Sequence, residues 1–172
     1  MDLSNDPHYQ AIRTFYGERR TQRTGVLYIQ HINEGLLVLE AIGATLAARR
    51  AYCLHPIVQG DTELAAAFLP DSVLHQYPID LYALALAMEY RSVANSYLSQ
   101  RTIASLDDIR LSPLDEVQQM LVADKVQNRK DFERYHRDTH PRARELDTYF
   151  RNWLAVLGVS EQRYEELVRL LG

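Results

Sequence analysis

Apolar residues recur along this chain at intervals of three and four. No stretch alternates apolar with polar residues long enough to make a strand. The pattern predicts an all-α protein, a compact array of about eight helices joined by short loops. The first helix is expected over about residues 7–20, with Asp6 as N-cap, Pro7 at the first helical position, and Ile12, Phe15 and Tyr16 as its stripe. A second covers about residues 28–42, where Ile32, Leu36, Leu39 and Ile42 keep the spacing and Gly43 stops it. A third begins after Thr45 and carries Leu46, Arg49, Arg50, Tyr52, Cys53 and His55 up to Pro56. Proline lacks an N–H and clashes with the preceding turn, at about 3 kcal/mol in a helix interior. The third helix is therefore expected to stop at His55, or to kink there and free the Tyr52 carbonyl; a plain terminus is the simpler expectation.

A short helix follows over about residues 61–68, then a strong one over 80–98 with Leu81, Leu84, Ala85, Met88, Val93 and Leu98 inward. Pro113 opens a long helix to about residue 136, preceded by Ser112 as N-cap. Its stretch from Asp124 to Arg134 is nearly all polar, which predicts a solvated face, or one that leans on a partner or a second subunit. Pro141 opens another, holding Leu146, Tyr149, Phe150, Trp153 and Leu154 and stopped by Gly158; Ser160 opens the last, to about residue 171. No repeat, low-complexity tract or composition shift divides the chain, so residues 1–172 are taken as one domain.

A chain of 172 residues can bury a full core without staples. The net charge of −4 argues against a nucleic-acid partner. Basic residues are locally dense at Arg13, Arg19, Arg20 and Arg23, where they suit either a phosphate-bearing small molecule or a solvated helix end. Cys53, the only cysteine, cannot pair within the chain and sits in an apolar stretch, so a buried, inert thiol and a reducing compartment are expected. No signal-peptide pattern and no bilayer-length apolar run is present, so a cytoplasmic protein without a membrane partner is expected. Phosphate-loop, nucleophile-elbow, paired-cysteine and dinucleotide fingerprints are also missing.

Two histidines carry the candidate chemistry. His31 and His55 lie on or beside neighbouring apolar helices separated by one helical hairpin, so they can meet across a core, and imidazole suits a transition metal. Each could equally be a hydrogen-bonded core residue. Glu34, three positions after His31, shares its helix face. His136 and His140 have the i, i+4 spacing of a metal pair, but the intervening residues and Pro141 read as a loop.

The segment Arg23-Thr24-Gly25-Val26-Leu27-Tyr28-Ile29-Gln30-His31, followed by Ala51-Tyr52-Cys53-Leu54-His55-Pro56-Ile57-Val58-Gln59-Gly60-Asp61-Thr62, resembles the HD hydrolase domain of the RelA/SpoT family and its small alarmone-hydrolase relatives. The resemblance covers roughly residues 8–100. It implies an HD-like helical fold and a divalent metal (manganese, zinc or cobalt) held by His31 and His55; Glu34, from its place on the His31 face, is a further candidate ligand. Arg23 falls within one residue of the family's substrate-contacting arginine, and Tyr28 matches the turn before the first histidine. The family's aspartate falls on Pro56, which cannot bind a metal, and its catalytic acid pair falls on Gln59-Gly60. For the last ligand, the leucine-alanine-aspartate motif is met by Leu86-Ala87-Met88, with Glu89 one place on.

Asp61, Glu89 and Gln59 are thus the candidates for a rebuilt catalytic set, and Arg23, Tyr28, Arg91 and Asn95 for substrate contacts. The leading expectation is an altered HD-type phosphohydrolase acting on a nucleotide or related phosphate ester. A catalytically inactive HD-like module that binds a nucleotide or a protein is the alternative, favoured by Pro56 and Gln59. A structural or interaction protein, phage- or mobile-element-encoded, is the third. A homo-oligomer is compatible with each.

Overall fold

The computed structural model describes residues 3–22, 24–98 and 106–172, with side chains in the helix ending at Leu98 as far as residue 96. The described residues are all-α. They form α1 (Pro7–Tyr16), α2 (Ile29–Ala41), α3 (Leu46–Gln59), α4 (Asp61–Ala67), α5 (Val73–Gln76), α6 (Leu81–Leu98), α7 (Asp115–Tyr135), α8 (Ala143–Val156) and α9 (Glu161–Arg169), with one turn of 3-10 helix at Leu106–Asp108. No helix among them is long and apolar enough to cross a membrane.

Local chemistry explains most of the boundaries. The Asp6 carboxylate accepts the His8 amide at 3.0 Å, and Arg50 of α3 donates to its other oxygen at 2.9 Å. Thr45 and Ser160 cap α3 and α9 in the same way, accepting from the amides of Ala48 and Arg163. α1 ends at Tyr16, four residues short of the expectation from periodicity. Gly17 takes a positive φ of 52° and returns its amide to the Arg13 carbonyl, which closes the helix there.

α3 occupies the centre, packed against α1, α2, α4, α6 and α7. Its residues from Ala51 to His55 are all buried, together with Ala48, Ile57 and Val58. Against it, α6 buries Ala83, Leu86, Ala87, Tyr90 and Ala94, a face rich in small residues that lets two helices approach closely. Of the inward set expected for α6, Leu84, Met88 and Val93 pack half-buried against the core and Leu81 and Ala85 are exposed, while the side chain of Leu98 lies outside the described residues.

Pro56 does not end α3. The helix continues to Gln59, and the Tyr52 carbonyl, which would otherwise accept the missing N–H of residue 56, instead accepts His55 Nδ1 at 2.6 Å.

α7 also overturns an expectation. Its polar stretch is not a solvated face: Asp124, Lys125, Gln127, Arg129 and Lys130 are all buried, and the helix packs against α2, α3, α6, α8 and α9. The polar groups are buried because they satisfy one another. Arg129 makes a bidentate pair with Glu161 at 2.9 and 2.7 Å and lies 3.9 Å over the Tyr164 ring, while Lys130 Nζ pairs with Glu34 at 2.5 Å.

Gly35 sets the approach of α2 to α3, since a Cβ there would overlap the Tyr52 ring. Gly35→Ala is expected to cost about 1–3 kcal/mol through overpacking. Denaturant unfolding checks this, and unchanged stability would mean that the ring can move aside.

Candidate metal centre

Two neighbouring helices bring the histidines together. His31 stands in the first turn of α2 and His55 in the last turn of α3, one turn beyond Tyr52. Their Nε2 atoms face each other at 3.3 Å. Asp124 of α7 supplies a third donor, its Oδ1 3.7 Å from His31 Nε2. His31, His55 and Asp124 are the one group of metal-ligating side chains found among the described residues, with donor atoms all within 4.8 Å of one another.

Hydrogen bonds fix which nitrogen carries the proton. His55 Nδ1 lies against the Tyr52 carbonyl, which can only accept, so this nitrogen is the N–H and Nε2 holds the lone pair. For His31 the same result comes from Gln127. The Gln127 Nε2 donates to two carboxylates, Asp131 Oδ2 at 2.7 Å and Glu34 Oε2 at 3.2 Å, so its Oε1 must be the atom 2.7 Å from His31 Nδ1. That oxygen accepts, so in the neutral ring Nδ1 carries the proton and Nε2 the lone pair. The Tyr52 hydroxyl stands 3.4 Å from His31 Nε2, at the long limit for a donor. Two nitrogen lone pairs and a carboxylate oxygen therefore converge, an arrangement that only a cation, proton or metal, relieves.

The electrostatics favour a neutral His55 and an ionised Asp124. Burial, reinforced by His31, lowers the His55 imidazole from 6.5 to about 3, so the ring is neutral at physiological pH. Burial would raise the Asp124 carboxyl, but Lys125 first, and then His31 and His55, hold it down at about 2. Its oxygens are both engaged: Oδ1 by the Asn128 amide at 2.7 Å, Oδ2 by Lys125 Nζ at 2.9 Å. The Lys125 ammonium rests 5.1 Å over the Trp153 ring and 5.6 Å over Tyr149. The buried Tyr90 ring lies 4.8 Å from that of His55.

The centre lies at the base of a cleft of about 580 Å³. One wall comes from the connection between α1 and α2, where Thr21 and Val26 share a backbone hydrogen bond and Gly25 turns the chain at a φ of 69° to deliver Tyr28. Tyr28 stacks on Tyr16, centroids 5.4 Å apart. Another wall is α8, with Glu145, Leu146, Tyr149 and Phe150, and Arg142 just before its first residue. His31, Asp124, Lys125 and Asn128 face the space between, while His55 lies beneath them.

No family model, curated protein or solved structure matches the chain.

Of the residues expected at the site, His31 and His55 meet, and Tyr28 and Gln59 line the cleft. Glu34 does not join the metal group: one turn along α2 from His31 it meets α7, where Lys130 and Gln127 hold its carboxylate behind the histidine. Asp61 is turned to solvent in an ion pair with Arg91, with its side chain 96% exposed. Glu89 lines a different groove with Ser92, Ser96 and Arg110. Arg91 and Asn95 do not line the cleft; both donate to the Gln59 carbonyl and so close the C-terminal end of α3. Arg23 lies outside the described residues. His136 and His140 belong to a turn and to no metal group. Cys53 is buried, and burial pushes its thiol up, out of reach of nucleophilic use.

Asp124 was missed. Its signal was available: it continues the Val117, Met120, Leu121 stripe at helical spacing, and a carboxylate in phase with an apolar stripe is buried. The rest of α7 is so polar that the stripe was hidden.

Gln127→Leu is expected to leave His31 Nδ1 without its acceptor and to weaken metal binding by about 10–100-fold, as loss of an outer-shell partner generally does. Gln127→Glu, which can still accept that proton, should retain most of the affinity. Equal binding by wild type and the leucine variant would show that Gln127 does not orient the ring.

Proposed function

We propose that the protein is a metal-dependent phosphohydrolase that cleaves a nucleotide or related phosphate ester in the cleft above His31, His55 and Asp124. The observation that carries this reading is the pair of imidazoles locked with Nδ1–H outward and both Nε2 lone pairs turned on one point beside a buried carboxylate. A divalent ion held there would supply Lewis-acid polarisation of a phosphoryl oxygen and a nucleophile at neutral pH. Around it the chain offers what a phosphate ester needs. Lys125 and Asn128 stand beside the carboxylate on the cleft floor, and the aromatic walls of Tyr28, Tyr149 and Phe150 suit a planar base.

The resemblance to HD hydrolases covers roughly residues 8–100, and the third donor, Asp124, lies beyond them. This chain departs from the pattern at Pro56, and it puts Pro56 to another use: the carbonyl that proline frees is the one that fixes the His55 tautomer.

A catalytically silent ligand-binding module is the second reading. It is favoured by Asp61 and Glu89, the two candidate proton acceptors, both standing away from the histidines. One experiment separates the two. Elemental analysis of purified wild type and the His31→Ala/His55→Ala variant, followed by phosphate release from a nucleotide panel, is expected to give one equivalent of divalent metal and turnover in wild type alone. Metal without turnover would establish the silent module. Absence of metal after incubation with manganese, zinc and cobalt would sink the hydrolase reading.

A further inference from the structure

The number, charge and spacing of the three donors restrict which cation they suit. Two are imidazole nitrogens, which prefer borderline transition ions, whereas magnesium and calcium are held by shells of oxygen. Only one carboxylate belongs to the group. Its charge is already shared with the Lys125 ammonium and the Asn128 amide, so little is left to compensate a hard cation. Glu34 could have added a second negative ligand, but Lys130 and Gln127 hold it one layer out.

The spacing agrees. A tetrahedral ion with metal–nitrogen bonds of about 2.0–2.1 Å has ligand–ligand edges of roughly 3.3–3.4 Å. Neighbouring ligands of an octahedral ion with bonds of about 2.0–2.1 Å lie roughly 2.9 Å apart. The two Nε2 atoms stand 3.3 Å apart, at the tetrahedral edge, while Asp124 Oδ1 is 3.7 Å from His31 Nε2 and the three donors lie within 4.8 Å of one another, a set wider than the octahedral edge. His31 and Asp124 line the cleft, so a fourth position would open onto it, as catalytic zinc sites require.

We propose that the His31–His55–Asp124 centre selects a four-coordinate zinc-type ion, zinc or cobalt(II), over magnesium, manganese and calcium, and that Lys125 restrains its affinity. This inference rests on reading the three residues as a metal centre. Zinc outranks manganese at most nitrogen sites, so affinity order alone would decide little. The coordination number and the effect of Lys125 carry the test.

The full-length, metal-free protein would be titrated with zinc, cobalt(II), manganese and magnesium against a chromophoric chelator, and the cobalt form examined by visible absorption. An intense four-coordinate cobalt band is expected, with manganese and magnesium bound at least roughly a hundredfold more weakly than zinc. Lys125→Met should bind zinc about tenfold more tightly, because the carboxylate is then free for the ion, a change of about 1.4 kcal/mol. If that variant fails to fold, Asn128→Leu releases Asp124 Oδ1 in the same sense and replaces it. A weak six-coordinate cobalt spectrum, manganese bound as tightly as zinc, or an unchanged or weakened affinity in the folded variant would overturn the inference while leaving a metal centre in place. No binding of any of the four ions would overturn the inference and the metal centre together.

Discussion

Asp124→Asn is expected to abolish metal binding and to destabilise the protein by about 3–5 kcal/mol even without metal. The two effects share one cause. Asp124 is the only anionic member of the donor group, so its neutral isostere leaves two imidazoles facing a cation with no compensating charge. The loss of affinity should exceed the roughly 10–100-fold cost typical of outer-shell changes. The same substitution strands Lys125, which is buried beside the carboxylate at 2.9 Å. Burial lowers the tendency of that amine to hold its proton, and Asp124 is what opposes burial and keeps it charged. Without the carboxylate the ammonium is a buried charge with aromatic neighbours only partly replacing its partner. Urea denaturation of the metal-free proteins, with a chelator titration beside it, measures both effects. A metal-free variant as stable as wild type would show that Lys125 finds another partner or reaches water.

The second large effect is a loss of stability in mild acid. In the folded protein His55 stays neutral down to a pH of about 3, whereas the unfolded chain takes up a proton near 6.5. Between those values the unfolded state binds more protons than the folded one, so stability rises with pH across the window. The stability His55 contributes is therefore fully present above 6.5 and is lost as pH falls towards 3. The slope approaches about 1.4 kcal/mol per pH unit for the one proton involved. Asp124 adds to the same trend at lower pH: its lowered carboxyl contributes stability above 3.8 that is lost as pH falls towards 2. Metal-free protein unfolded in urea at several pH values between 7.5 and 4 should show the decline, and His55→Asn should flatten it. Identical slopes in the two proteins would assign the acid sensitivity to other groups. Saturating metal should deepen the dependence, since the ion and the proton compete for the same nitrogen.

In sequence, Pro56 stands where the resemblance to HD hydrolases would put a metal-binding aspartate. In the folded chain it costs α3 one backbone hydrogen bond and leaves the Tyr52 carbonyl available one turn back. His55 takes that carbonyl with Nδ1, which orients its ring and aims Nε2 at His31. Pro56 thus frees the carbonyl that positions the His55 ring.

Much of this architecture follows from the order of residues alone. The 3.6-residue spacing of apolar positions specifies an all-α chain, because that spacing buries one side of a helix and nothing else. Asp6, Thr45 and Ser160 mark helix starts because a short oxygen-bearing side chain reaches its own backbone amides. The pairing of His31 with His55 was also within reach, since two helices joined by one short turn at Gly43 must lie side by side. Asp124 is legible only as the continuation of the Val117, Met120, Leu121 stripe, and Gln127 and the inward turn of Glu34 are not legible at all. Outside that stripe α7 reads as polar, and a polar residue's sequence neighbours do not say whether water or a distant carboxylate satisfies it. Only the packing of α7 against α2, α3 and α8 decides that. It joins Glu34 to Lys130 and His31 to Gln127 across more than ninety residues of chain, with no local periodicity to announce either pair. Helix formation is governed by interactions a few residues apart, whereas the centre is built from pairs that exist only after the helices have packed.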